Sequence, residues 1–224
     1  MNYNFNFDAV WRNFDLLMSG LGLGLALALV SIAIGCVLGL LVAFGMISKN
    51  RFLRVISGIY ISWIRNTPIL VLILFVYFAL PQTGFMLGKI ESFIFTLSIY
   101  SGAYLAEVFR SGLVSLSPGI RESGLAIGLT EFKIKRYLII PIMFRNVLPS
   151  LSNNFISLFK DTSLAAAIAV PELTFYARKI NVETFRVIET WLVASAIYIV
   201  ACYAIAALLR SFERKLAIPG RGHK

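Results

Sequence analysis

Three stretches of this chain contain no Asp, Glu, Lys or Arg: residues 16–48, 66–88 and 190–209, runs of 33, 23 and 20. An apolar run of about 20 residues crosses about 30 Å of hydrocarbon as a helix. In lipid such a segment must satisfy its own backbone N–H and C=O groups, which a helix does. Two further apolar stretches are interrupted by charge, 92–112 by Glu107 and Arg110 and 146–171 by Lys160 and Asp161. The expectation is an all-α integral membrane protein with five transmembrane helices, at about 16–48, 57–82, 90–112, 146–170 and 189–210. All of 1–224 then forms a single transmembrane domain. The first apolar run is too long to read as a removable signal peptide, and no cleavage pattern followed by soluble sequence ends it.

Composition points the same way. With 58% hydrophobic and 14% charged residues and a mean hydropathy of +0.81, the chain is not an ordinary soluble domain. Its net charge of +10, on so apolar a chain, bears on membrane orientation rather than on nucleic acid. Fifteen Lys and Arg fall in 49–65, 110–145 and 210–224, against five in 1–15, at 89 and in 172–189. Positive loops stay cytoplasmic, so the N-terminus is expected outside and the C-terminus inside. An odd number of crossings is required, and five satisfies it. Cys36 and Cys202 lie inside apolar runs and His223 is the only histidine, so neither a disulfide framework nor a metal cluster is expected. Gly20 and Gly24, then Gly35 and Gly39, are spaced four apart and read as a helix-packing face.

The most patterned polar segment, about 113–145, lies between spans three and four. Ser117 suits an N-cap, Pro118 the first helical position, and Gly128 the left-handed residue that ends a helix. These predict a short helix from about Pro118 to Ile127. Thr130 then caps a second, running from Glu131 until Pro141 interrupts it. Such a cytoplasmic amphipathic helix is either a docking element for a soluble partner or an interfacial helix lying on lipid headgroups.

Glu122-Ser123-Gly124, Gly128, and then Leu138, Ile140 and Pro141 have the spacing of the EAA loop of binding-protein-dependent ABC transporter permeases. That loop reads E-A-A, three residues, G, nine residues, I-x-L-P; Ser123 and Gly124 stand where it has two alanines. A glycine there weakens a helix by up to about 1 kcal/mol relative to alanine. Arg65-Asn66-Thr67-Pro68, Tyr104-Leu105-Ala106-Glu107 and Lys160-Asp161-Thr162-Ser163-Leu164 resemble segments of the polar amino acid uptake branch. The resemblance covers about residues 16–210.

It implies a multi-pass protein of the bacterial cytoplasmic (inner) membrane, working as the permease of an ATP-driven importer. Implied partners are cytoplasmic ABC ATPase subunits, a second permease copy or a paralogue, an extracytoplasmic solute-binding protein, and membrane lipid, with a polar amino acid as solute and no nucleic acid. The EAA segment, with Glu122, Ser123, Gly124, Leu125, Gly128 and Pro141, then resembles the coupling helix that sits in a groove of the ATPase. No cofactor is expected on this chain itself, ATP and magnesium being held by the partner ATPase.

Catalysis by the chain itself is not expected. The nearest approach to a phosphate-cradling loop, Gly84 to Ile90, has one spacer too few and no hydroxyl for magnesium. A lone terminal histidine cannot be expected to orient a serine nucleophile.

Ionisable groups inside a membrane are costly unless paired or wetted. Asn153, Ser157, Lys160 and Leu164, and likewise Asn154, Ser157, Asp161 and Leu164, are related by helical steps of three and four. With Thr162 and Ser163 they form a polar stripe that is either a wetted translocation pathway or a buried ion pair holding helices together. Glu107 and Arg110, three apart, read as an ordinary ion pair. Arg65, ahead of Pro68, reads as a headgroup anchor, with gating as the sharper alternative.

The expected function is inward passage of a polar amino acid or similar small amine-carboxylate by alternating access. A passive small-solute channel, a permease for another solute such as an opine, and an integral membrane enzyme compete with it. The channel has no use for a docking loop, and the enzyme lacks a catalytic constellation. The charge distribution predicts that cysteines introduced as Asn4→Cys and Arg178→Cys react with an impermeant thiol reagent from outside intact cells, and that Lys133→Cys does not. Labelling of Lys133→Cys in sealed cells would reverse the orientation.

Overall fold

The computed structural model describes residues 3–216; Arg221, His223 and Lys224 lie outside the described residues. All of the regular structure among the described residues is helical. A short α1 (Asp8–Arg12) leads into α2 (Phe14–Met46), and α3 (Arg51–Arg65) is followed by α4 (Ile69–Leu74). Next come α5 (Lys89–Val114), the small helices α6 (Pro118–Ala126) and α7 (Glu131–Ile134), then α8 (Ile140–Asp161), α9 (Leu173–Thr184) and α10 (Val187–Leu216).

Three described helices are long and apolar enough to cross a membrane alone: Phe14–Met46, Lys89–Val114 and Val187–Lys215. A fourth crossing is available only if Arg51–Arg65 and Ile69–Thr83, bent by 99°, act as one. The span expected over 57–82 contains this bend. Pro68 has no N–H to donate and disfavours helical backbone at the residue before it. The carbonyls exposed at the break are met locally, by the Asn66 amide on Ser62 O at 2.7 Å and the Thr67 hydroxyl on Trp63 O at 2.8 Å. Arg-Asn-Thr-Pro is thus a self-capping helix end.

The stretch 146–170 also differs from a uniform helix. Helix α8 ends at Asp161, a tighter 3-10 turn covers Thr162–Ile168, and Ala169 takes a left-handed conformation at φ 56°. Leu164 consequently leaves the stripe that ideal helical spacing gave it. At the other end Pro141 does not interrupt the chain. It lies in the first turn of α8, and a wide helical turn at Lys135–Ile139 joins α7 to α8. A proline ring is accommodated where the preceding turn has already loosened its i to i−4 bonds.

Helix α2 is the centre around which the others pack. Its side chains join separate buried clusters: Leu27 with Ile73, Phe93 and Leu97, Ala43 with Leu105 and Phe109, and Leu17 with Leu173 and Ile180. The glycine face makes these contacts close. A Cβ on Gly39 would lie 3.0 Å from the Ala106 nitrogen and the Gly102 oxygen, and one on Gly20 would lie 2.7 Å from the Glu172 carbonyl carbon. Gly22, on another face, has nothing within 4 Å. Gly39→Leu is expected to destabilise the purified protein by about 1–3 kcal/mol through overpacking, read as a lower thermal unfolding midpoint in detergent. Gly22→Leu should leave the midpoint unchanged.

Candidate functional site: a helical docking segment and a polar cluster between helices

The segment between α5 and α8 is built from its capping residues. Ser117 Oγ accepts from the Gly119 N–H at 3.3 Å and Thr130 Oγ1 from the Lys133 N–H at 3.4 Å. Gly128 has φ 78°, its N–H donates to Leu125 O at 2.9 Å, and the Leu129 N–H donates to Gly124 O at 3.0 Å. This crossed pair of bonds closes a helix on a left-handed glycine, a conformation costly for any residue bearing a Cβ. Gly124, which occupies an alanine position of the EAA pattern, is buried. A Cβ there would stand 2.7 Å from Ile134 Cγ1, so the small residue lets α6 lie against α7.

An ion pair the sequence reading did not single out braces the same two helices: the Arg121 guanidinium donates to both Glu131 carboxylate oxygens. The hydrogen bonds and charge of Arg121 hold the Glu131 carboxyl below the usual range. Glu122 and Ser123 are exposed beside Leu125, at 42% exposure, Ile127 at 74% and Phe132 at 71%. Pro141 lies at the start of α8, beyond this surface.

The second constellation lies along the middle of α5. Arg65, the last residue of α3, places its guanidinium carbon 5.1 Å from the Tyr104 ring centroid. The Tyr100 hydroxyl donates to the Tyr104 hydroxyl at 3.2 Å, and Tyr100 lies within electrostatic reach of both Asp161 and Arg65. Tyr104 stands ten residues before the end of α5 at Val114, about 15 Å along a helix rising 1.5 Å per residue. Arg65, itself exposed, thus lies level with the middle of α5 and not with its end.

One turn further along α5, Arg110 Nε and Nη2 donate to Glu107 Oε2 at 3.0 and 2.7 Å, the ion pair expected from their spacing. Lys160 and Asp161 separate, because neighbours on a helix point about 100° apart. No hydrogen bond or ion pair joins these two among the described residues. Lys160 is exposed on the side of Cys202 in α10, with Asn153 and Ser157 exposed on its own face. The Asn154 amide donates to Ser150 O at 2.8 Å, the buried Thr162 hydroxyl to Phe159 O at 2.7 Å, and Ser163 is half-buried. The stripe therefore divides, with Asp161 toward α5 and Lys160 away from it.

Tyr100 and the buried Glu172 were not singled out in the sequence. Tyr100, Tyr104 and Glu107 share one helical face, and that spacing was the available signal. Glu172 caps α9, accepting from the Thr174 and Phe175 N–H groups at 2.8 Å each and from the Tyr198 hydroxyl at 2.9 Å. Burial nevertheless pushes its carboxyl up. Nothing local in the sequence separates it from a solvated loop carboxylate.

Residues 35–218 match the family of binding-protein-dependent transport system inner membrane components. The glutamine transport system permease protein GlnP of Escherichia coli K12 is 36% identical over 217 residues, covering 96% of this chain and 99% of that one. The L-cystine permease TcyB of Bacillus subtilis is 34% identical over 93% of this chain and 90% of its own. The octopine permease OccM of Rhizobium radiobacter is 34% identical over 91% and 87%. Among solved structures, a chain of an amino acid ABC transporter crystallised with histidines superposes with a TM-score of 0.85 at 33% identity, over 95% of this chain and 100% of that one. A chain of the MetNI methionine transporter, at 19% identity and a TM-score of 0.79, shares the fold. The chain belongs to the binding-protein-dependent transport system inner membrane components, the permease subunits of ABC importers, and is a multi-pass protein of the inner membrane.

Proposed function

We propose that this permease carries a polar amino acid, or a similar small amine-carboxylate, into the cytoplasm by alternating access between its two faces. The observation that carries the reading is the Arg65 guanidinium carbon 5.1 Å from the Tyr104 ring, with the Tyr100 hydroxyl bonded to that of Tyr104 and Asp161 within electrostatic reach of Tyr100. A zwitterionic solute has one group for each, its carboxylate for the guanidinium and its ammonium for the aspartate. The phenols of Tyr100 and Tyr104 supply hydrogen-bonding groups between them. Asn153, Asn154, Ser157, Lys160, Thr162 and Ser163 extend a polar lining along α8 and the turn after it. Glutamine, cystine and octopine in the names of the similar permeases support an amine-carboxylate. Octopine, which carries those groups on a larger frame, keeps an opine as the second reading.

In this reading α8 with its 3-10 continuation makes the fifth crossing, and the N-terminus faces outward. The segment with Glu122, Leu125 and Gly128 is the coupling helix, its exposed Leu125, Ile127 and Phe132 meeting an ATPase groove. ATP and magnesium belong to that ATPase, a second permease copy or paralogue completes the pathway, and an external binding protein delivers solute. The Arg121–Glu131 bond and the Gly128 turn give the coupling segment the stiffness to pass motion to α8. A passive channel would leave this apolar docking surface without a purpose.

Two experiments test it. Gly128→Val is expected to strain the left-handed turn by roughly 1 kcal/mol or more. Solute-stimulated ATP hydrolysis and uptake should fall while membrane insertion persists, and unchanged coupling would remove α6 from its role. Asp161→Asn keeps shape and hydrogen bonding but removes the charge. Uptake kcat/KM should drop about tenfold or more, equivalent to ~1.4 kcal/mol, at an unchanged yield of assembled complex. Arg65→Gln should do the same. Loss of assembly first, with normal uptake by what remains, would make the two residues scaffold.

A further inference from the structure

Where α2 and α5 end, near Met46 and Val114, they and the α6–α7 segment enclose a cavity of about 650 Å³. Its lining is divided. One wall is hydrocarbon, from Phe44, Leu113, Leu116 and Ile139; the other carries Lys49, Arg121 and Lys135 around Glu131. All three cations act on that carboxylate, and Arg121 is hydrogen-bonded to it. Among the lining residues Glu131 is the only acid, which leaves the charge of two lysines unbalanced. The Lys135 ammonium stands 5.6 Å from the Phe44 ring centroid, at the seam between the two walls. Ser48 and Ser117 also line the cavity; their Oγ atoms accept from the Asn50 and Gly119 N–H groups, which leaves each O–H to donate to a ligand.

Cations and hydroxyl donors beside an apolar wall fit a phosphate that bears a hydrocarbon chain. A basic pocket between transmembrane helices at their cytoplasmic ends is the setting in which anionic headgroups bind. We propose that this cavity holds the headgroup phosphate of an anionic phospholipid of the inner leaflet. A free phosphate shares the headgroup chemistry but has no use for the wall of Phe44 and Leu113. The lipid would tie the end of α2, through Lys49, to the α7 segment, through Lys135, and so brace the docking segment from its membrane side. The inference rests on the proposed orientation, but its readout is lipid retention and not transport, so the two can fail separately.

The test is native mass spectrometry of the detergent-purified chain, alone and with the ATPase subunits that copurify with it, after equilibration with equal amounts of phosphatidylglycerol and phosphatidylcholine. Phosphatidylglycerol should dominate the retained adducts. Lys49→Gln combined with Lys135→Gln should lower its retention about tenfold, and Lys49→Gln alone by a smaller factor, so that a double variant that fails to assemble does not end the test. Lys133→Gln, on the same segment outside the cavity, should leave retention unchanged. Equal retention of the two lipids, or retention indifferent to the lysine changes, would overturn the site. Displacement by millimolar inorganic phosphate would overturn the lipid in favour of a soluble anion. Loss of the adduct on binding the ATPase would overturn it in favour of a protein contact.

Discussion

A methyl group placed on Gly35 would fall 2.0 Å from Ser101 Oγ, and one on Gly39 only 3.0 Å from the Leu105 Cβ. Helices α2 and α5 can therefore lie side by side only because these positions carry no side chain. In a bilayer the hydrophobic effect does not draw one apolar helix to another, so association rests on close van der Waals packing and on hydrogen bonds between helices. The Ser101 hydroxyl contributes one, to Ser31 O at 3.3 Å. The parallel pair fixes the level of every residue on the opposite face of α5, including Tyr100, Tyr104 and Glu107.

That level gives the broken second span its significance. Because α3 packs on the same pair, with the Tyr60 hydroxyl on Ile99 O at 2.6 Å, its last residue comes to rest beside Tyr104. The break stops α3 there, and Asn66 and Thr67 satisfy the carbonyls that it opens. Helix α8 likewise ends at Asp161, and successive positions on it turn Asp161 and Lys160 to different surroundings. Two helix ends, each capped locally, thus deliver opposite charges to one region of α5. Irregular backbone at such depth is tolerated where it lies against protein or lines a cavity.

The docking segment depends on a different balance. Its helices are too short to persist by propensity alone, and they are held by two caps, one left-handed glycine and the Arg121–Glu131 bond. The substitution at Gly124 makes sense only in this assembled form. Taken by itself a glycine weakens α6; packed against Ile134 it permits the contact that holds α6 in place.

Apolar run length and local capping are properties of consecutive residues, and they were sufficient for the helical membrane class, for α2, α5 and α10 as apolar helices, for the turn at Gly128 and for the Glu107–Arg110 pair. The spacing of the EAA segment together with the polar motifs was sufficient for the family. One local rule was read too simply: Pro141 was taken as a stop although a widened turn accommodates it. Other features depend on residues far apart in the chain: Arg65 with Tyr104, Tyr100 with Asp161, Glu172 with Tyr198, and Lys49 with Lys135 around one cavity. No periodicity records such pairings, because each is set by how closely the backbones of separate helices can approach. The sequence by itself determined the long apolar helices, the docking segment's turn and the family. Only the tertiary structure decided which charges meet, since that depends on the packing distance allowed by Gly35 and Gly39 and on the places where α3 and α8 end.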